Sequence, residues 1–404
     1  MSGGDSNRIV IVGAGQAGAR AALALRSAGH PGAITLIGAE RHLPYERPQL
    51  SKDLLIKPAA NVQFIKSAED WAALGVDIWL GTPVVSVDPE RREVGLADGR
   101  VAGYDRLLLT TGMSPRRCAA LEGSAIPVSY VRNIGDALTI RERLAPGTRI
   151  VLVGCGIIGL EVAAAAVGKG CAVTVIEATD RLLSRALPKL VGTFLIGRHE
   201  AEGVAFRFGV TASGVSDGAV LLSDGSRLPA DLIVVGIGVE PSAQIAAAFR
   251  LAESDSFRVD RTTATPAEDV YAAGDAAIQY SRWHDRWMRV DTWANAQNQA
   301  AAAARAMVGL DVCYEEPAWF WSDQHNVNLQ AVGDPLGEEQ VVRGAVESGK
   351  FSVISLRGGE VVGAVTVNEP REMGSLRKLV AARRSFPKAD LEDVRFDLRR
   401  AAAA

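Results

Sequence analysis

One pattern occurs twice in this chain: an apolar strand, a G-x-G-x-x-G turn, an Ala-rich helix, and a second strand ending near an acid. Together with a change of texture beyond about Ala318, it predicts an α/β fold with two Rossmann-like dinucleotide-binding domains and a C-terminal α+β domain. In the first copy, Ile9 to Val12 reads as a buried strand and Gly13, Gly15 and Gly18 lead into the apolar segment Ala19 to Leu25. The first glycine permits the tight turn, the second lets backbone approach a pyrophosphate, and the third lets helix and strand pack closely. Strand Ile34 to Ile37 then ends near Glu40, a carboxylate placed to accept from ribose hydroxyls. The second copy runs from Arg149 to Gly170, with Gly154, Gly156 and Gly159, and its next strand, Ala172 to Ile176, ends at Glu177. A lone glycine turn is weak; two copies about one domain apart imply two bound dinucleotides.

Between the copies lies LPYERPQLSKDLL, Leu43 to Leu55. Pro44 and Pro48 predict a rigid, non-helical loop, with Ser51 capping a short helix that begins with Lys52 and Asp53. A lysine there opposes the helix dipole; its plain reading is a solvated pair with Asp53. Val84 to Val87, Glu93 to Leu96 and Arg106 to Leu109 read as short strands of an antiparallel insertion returning to the main sheet, and Gly112 closes LLLTTG. Asp231 to Gly238 holds another buried strand, and VYAAGDA ends a strand at Gly274 and Asp275, by itself an ordinary turn. The last domain alternates strands at Gln330 to Val332, Gln340 to Gly344, Phe351 to Leu356 and Val361 to Val367, followed by a basic helix from Gly374 to Arg384.

A chain of 404 residues suggests two or three domains. Its apolar runs are too broken for a membrane span, and a net charge of −3 offers no global basic field for nucleic acid or an anionic membrane. The polar residues Met1 to Asn7 leave no room for the apolar core of a signal peptide, so a cytoplasmic protein is expected. The four cysteines (Cys118, Cys155, Cys171, Cys313) contain no C-x-x-C, and none precedes Cys118, so an early redox dithiol is excluded. The five histidines show no i, i+4 pair, and no metal is expected. Redox work falls to a bound cofactor.

LLLTTG at 107 to 112, VVGIGVEPS at 234 to 242, TATPAEDVYAAGD at 263 to 275 and, more specifically, RPQLSKDLL at 47 to 55 and WFWSDQ at 319 to 324 resemble the oxygenase-coupled NADH-dependent ferredoxin reductases. These are the flavoprotein components of bacterial aromatic-ring dioxygenase and some cytochrome P450 systems. The resemblance covers nearly the whole chain. It implies an FAD-binding domain at 1–113 and 242–318, an NAD-binding domain at 114–241, and a C-terminal domain at 319–404 near which a [2Fe-2S] ferredoxin of Rieske or plant type docks. Gly13, Gly15, Gly18 and Glu40 would hold the adenine half of FAD. Arg47 and Lys52 would lie along the flavin, and Gly112, Gly274 and Asp275 would complete the FAD site. Gly154, Gly156, Gly159 and Glu177 would hold NADH, with Arg181 and Arg185 nearby. Glu161 matches a glutamate close to the flavin, its plain alternative being a helix N-terminal acid favoured by the dipole. Gln49 and Cys155 depart from the family pattern.

The implied activity is hydride transfer from NADH to FAD, followed by single-electron transfer to the ferredoxin, with Lys52 and Glu161 paired near the flavin and Trp321 on the way to the partner. Trp319 and Trp321 share one face of the strand WFW and Phe320 takes the other. Arg282, Arg286, Arg289, Arg377, Lys378, Arg383 and Arg384 are candidates for a patch that steers an acidic ferredoxin. A monomer or homodimer is expected. A rubredoxin reductase and a flavoprotein resembling apoptosis-inducing factor, with a binding or signalling role, are the alternatives; the −3 charge weighs against the second.

Overall fold

The four residues Ile9–Val12 are wholly apolar because both faces of their strand are covered. In the computed structural model, which describes residues 7–57, 61–241 and 256–403, they lie at the centre of a five-stranded parallel sheet. Its order is Val270–Ala272, Arg106–Leu109, Ile9–Val12, Ile34–Ile37, Val76–Trp79. Ile9 and Ile11 face helices Gln16–Ser27 and Trp293–Met307, where Ala19, Ala22, Ala300 and Ala304 are fully buried. Small side chains let those two helices approach closely. Val10 and Val12 face the opposite core, with Val94, Leu107 and Leu109. These elements belong to the first of two compact units: Met1–Arg47, Val62–Ser114 and Glu240–Ala318. Residues 1–6 of the polar N-terminus and Ser242 of VVGIGVEPS lie outside the described residues.

The insertion in this unit is antiparallel, but its third strand is Val101–Gly103, pairing with Glu93–Leu96. Arg106–Leu109 instead pairs in parallel with Ile9–Val12. Val101–Gly103 has only three residues with Val101 exposed, too short for an alternation signal, whereas the run of leucines at 107 to 109 is buried on both sides.

The second unit comprises Pro48–Asn61, Pro115–Val239 and Trp319–Ala404. It repeats the parallel arrangement in the order Ala205–Phe208, Ala172–Glu177, Arg149–Val153, Leu232–Val235, Val128–Tyr130. It also holds a five-stranded antiparallel sheet ordered Trp319–Gln324, Val327–Gly333, Glu360–Val367, Lys350–Arg357, Glu339–Ala345. These strands are longer than their alternation suggests. The basic helix spans Pro370–Ala382 rather than Gly374 to Arg384: Pro370 is preorganised for the first helical turn, and Arg383 ends the helix at a φ of 49°. Arg47–Ser51 forms a 3-10 turn, not a non-helical loop, and Lys52 rather than Ser51 occupies the N-cap of Asp53–Ile56. Among the described residues no helix is long and apolar enough to cross a membrane.

Candidate active site

The first glycine turn is built as its spacing demands. A methyl group on Gly13 would sit 2.1 Å from the Thr110 carbonyl oxygen, and one on Gly18 would sit 1.9 Å from the oxygen of Gly13. One on Gly15 would meet only Arg47 Nη2, at 3.9 Å. Gly13 and Gly18 are therefore glycines for internal packing, and Gly15 leaves its surroundings open for a ligand. The helix beginning at Gln16 has no side-chain cap and no acid in its first turn, whereas Ser67 and Asn133 cap helices elsewhere with full capping boxes. Its first N–H groups keep their donor capacity for an anion. Glu40 is held by Arg47 Nη2 at 2.5 Å and by the Tyr45 hydroxyl at 2.7 Å. Asp275 acts electrostatically on the same Arg47. Gly112 and Gly274 adopt φ values of 62° and 72°, and the Gly274 N–H donates to Gln299 Oε1 at 2.9 Å. A pyrophosphate-bearing nucleotide fits this turn.

The second turn has the same logic. Methyl groups on Gly154 and Gly159 would lie 2.6 Å from the Gly236 oxygen and 2.9 Å from the Gly154 oxygen, while one on Gly156 meets nothing closer than 3.7 Å. Helix Ile157–Val167 is likewise uncapped. The Glu177 carboxylate accepts from the Thr179 N–H and hydroxyl at 3.0 and 2.9 Å, and from the Cys155 N–H and thiol at 3.1 and 3.3 Å. Burial alone would raise its pKa, but those bonds outweigh it and hold the carboxyl below its usual range. Burial, with Glu177 beside it, pushes the Cys155 thiol up to about 12, so the departure from the family pattern positions an acid and offers no nucleophile. Arg185 lies exposed in the following turn, and Arg181 donates to the Ser184 carbonyl at 3.1 Å.

Further along the uncapped helix, Glu161 is only 6% exposed. Ser51 donates to its Oε2 at 2.5 Å and Ser322 to its Oε1 at 2.6 Å. Lys52 Nζ stands 3.3 Å from Glu161 Oε1, 3.2 Å from Asp323 Oδ2 and 5.3 Å above the Trp321 ring. Burial drives the Glu161 pKa up, and Lys52, Ser322 and Ser51 pull it back. The structure thus joins Lys52 to Glu161, while Asp53 pairs with Lys57 at 2.8 Å. The Ser51 hydroxyl serves the buried acid, not a helix end.

Strand alternation organises the other wall. Trp319, Trp321 and Asp323 take one face; Phe320, Ser322 and Gln324 take the other. The two tryptophan rings stack at 5.4 Å, and the exposed Arg377 lies 4.6 Å over Trp319. Sequence reasoning missed Ser51, Ser322 and Gln324. The two-residue spacing of Ser322 and Gln324 was the available signal. Of the proposed steering residues, Arg282 pairs with Glu315, Arg289 with Asp291 and Arg383 with Glu360. Arg286, Lys378 and Arg384 are exposed, as is Arg377. All four cysteines are free thiols.

Residues 7–300 match the family model described as pyridine nucleotide-disulphide oxidoreductase, and residues 319–402 match one described as reductase C-terminal. The chain is 42% identical to the ferredoxin–NAD(+) reductase component of the p-cumate 2,3-dioxygenase system of Pseudomonas putida, over 98% of this chain and 99% of that one. It is 40% identical to the corresponding component of the anthranilate 1,2-dioxygenase system of Burkholderia cepacia, over 94% and 95%. Among solved structures, a covalent putidaredoxin reductase–putidaredoxin complex contains a chain that superposes with a TM-score of 0.94 at 34% identity, covering 98% of this chain and 99% of that one.

Proposed function

We propose that this chain, which belongs to the pyridine nucleotide-disulphide oxidoreductase family, is the NADH-dependent reductase that supplies electrons to a [2Fe-2S] ferredoxin serving an oxygenase, of the aromatic-ring dioxygenase or cytochrome P450 kind. The observation that carries the reading is the pair of open, uncapped glycine turns, one in each parallel sheet, with an acid at the end of the next strand (Glu177) or three residues beyond it (Glu40). We assign 1–113 and 242–318 to FAD, 114–241 to NADH and 319–404 to the C-terminal domain. Gly13, Gly15, Gly18, Glu40, Arg47, Gly112, Gly274 and Asp275 would hold FAD, and Gly154, Gly156, Gly159, Glu177 and Arg185 would hold NADH.

FAD held by those residues would supply the acceptance of two electrons as a hydride and their release one at a time. The chain's own residues bind and orient. Glu177, held ionised by four donors, accepts from the ribose diol and repels a 2′-phosphate, favouring NADH over NADPH. Lys52 and Glu161 set local charge where the nicotinamide is oriented. Trp321 carries electrons outward, and the exposed Arg377, Lys378 and Arg384 attract an acidic partner of Rieske or plant type. We place the protein in the cytoplasm, as a monomer or homodimer. Extraction should yield one equivalent of FAD per chain, and anaerobic NADH should bleach the flavin at much lower concentration than NADPH. A colourless protein, FMN on extraction, or equal kcat/KM for the two nucleotides would contradict this.

A further inference from the structure

Glu161 is the end of a hydrogen-bond chain that the reaction itself does not require. Ser322 donates to Glu161 at 2.6 Å, Gln324 Nε2 donates to the Ser322 hydroxyl at 2.9 Å, and Gln324 Oε1 lies 2.9 Å from His199 Nε2. His199 Nδ1 in turn lies 3.1 Å from His325 Nε2. The proton positions follow from valence. An amide oxygen only accepts, so His199 carries its proton on Nε2; a neutral ring then has Nδ1 as acceptor, and His325 donates from Nε2. Every donor points toward Glu161. Ser322 and His199 are fully buried and Gln324 is 2% exposed, so no link from His199 to Glu161 exchanges its partner for water; His325 at the far end is half-buried.

We propose that Gln324 and His199 are positioning residues for Glu161: they occupy the Ser322 oxygen as an acceptor and so commit its hydroxyl proton to the Glu161 carboxylate. A free hydroxyl rotates among acceptors, whereas one already accepting from a fixed amide cannot turn its proton that way, and its donated bond goes to the Glu161 carboxylate. Gln324 conveys polarity and not protons, since an amide neither gains nor loses a proton in this range. The arrangement therefore holds charge at Glu161 and is not a conduction path. It works beside the other groups that face the chain. These are Lys52, with Asp323 behind it, at the Glu161 end, and Glu202, Arg198 and the edge of Phe206 around the two histidines. A merely space-filling role would be met by any buried residue of similar volume at 199 and 324. This inference rests on the proposed role of Glu161 beside the flavin.

The test uses the FAD-loaded protein, with flavin midpoint potential followed against pH in wild type, Glu161→Gln, Ser322→Ala, Gln324→Leu, His199→Leu and His199→Gln. The inflection that Glu161→Gln abolishes should move upward by about one pH unit in Ser322→Ala, where a donor to the charged form is lost, and in the same direction in Gln324→Leu, where that donor is no longer committed to Glu161. It should move the same way in His199→Leu and return toward wild type in His199→Gln, whose amide again donates to Gln324 Oε1. An inflection that moves in Ser322→Ala but not in Gln324→Leu would overturn the proposal. No inflection lost in Glu161→Gln would overturn the role of Glu161 itself and the proposal with it. A second measurement needs no variant: imidazole 15N spectra of the wild type should show His199 as the neutral Nε2–H tautomer at pH 7, and an Nδ1–H tautomer or an imidazolium would overturn the assignment.

Discussion

A buried carboxylate needs either a proton or partners, and Glu161 has Lys52 and two serine hydroxyls as partners. Removing one side of such a pair costs about 3–5 kcal/mol when the remaining charge stays buried, which is why neither residue is a free surface charge. Trp321 gives the sharper prediction at this scale. Its ring stacks on Trp319 and lies beside Lys52, so Trp321→Ala should leave NADH-to-ferricyanide turnover near normal and reduce ferredoxin reduction at least tenfold. Both activities are measured on one preparation; a parallel fall would make Trp321 a core residue. The pairing of Lys52 with Glu161 was legible because both sit in motifs resembling a known family. Ser51 and His199 were not: they meet Glu161 and Gln324 across 110 and 125 positions, and no local pattern encodes such contacts.

At the scale of elements, the glycine turns separate two kinds of glycine. Gly18→Ala should abolish FAD retention, since its methyl would overlap the Gly13 carbonyl, and the shift it forces disrupts the strand–helix turn. Gly15→Ala should fold normally and weaken FAD binding alone, with flavin content and the urea midpoint distinguishing the two. The helix Lys189–Ala201 carries a pH dependence. Burial lowers the His199 pKa from 6.5 to about 4, so the folded chain holds it neutral while the unfolded chain protonates. The stability it contributes is fully present above pH 6.5 and is lost as pH falls toward 4, about 3 kcal/mol in all. Urea midpoints measured from pH 7 to pH 5 should therefore fall more steeply in wild type than in His199→Gln; parallel slopes would show His199 to be protonated in the fold. Strand and helix existence was legible wherever apolar periodicity was long. Val101–Gly103 and the first turn of Pro370–Ala382 escaped because three residues, or one turn opening with proline and glutamate, carry no period.

At the scale of the whole chain, the repeated turn made the α/β class legible at once. The strand–turn–helix–strand core of each parallel sheet is contiguous in sequence, so local patterns sufficed there, whereas the pairing of Val270–Ala272 with Arg106–Leu109 and of Leu232–Val235 with Val128–Tyr130 spans distant segments. The assignment of segment Pro48–Asn61 to the second compact unit was not legible, because it depends on contacts between distant segments: Asp53–Ile56 with helix Ile134–Arg141, and Ser51 and Lys52 with Glu161. A net charge of −3 likewise conceals where basic residues are exposed, as at Arg377, Lys378 and Arg384. The central claim is electron delivery from NADH to an iron–sulfur protein through bound FAD. It is tested most directly by mixing the purified protein anaerobically with NADH and a purified [2Fe-2S] ferredoxin and following the visible absorbance of the cluster. Catalytic bleaching of the cluster, faster at low than at high salt, is the predicted result; full reduction of the flavin with every ferredoxin tried left oxidised would contradict it.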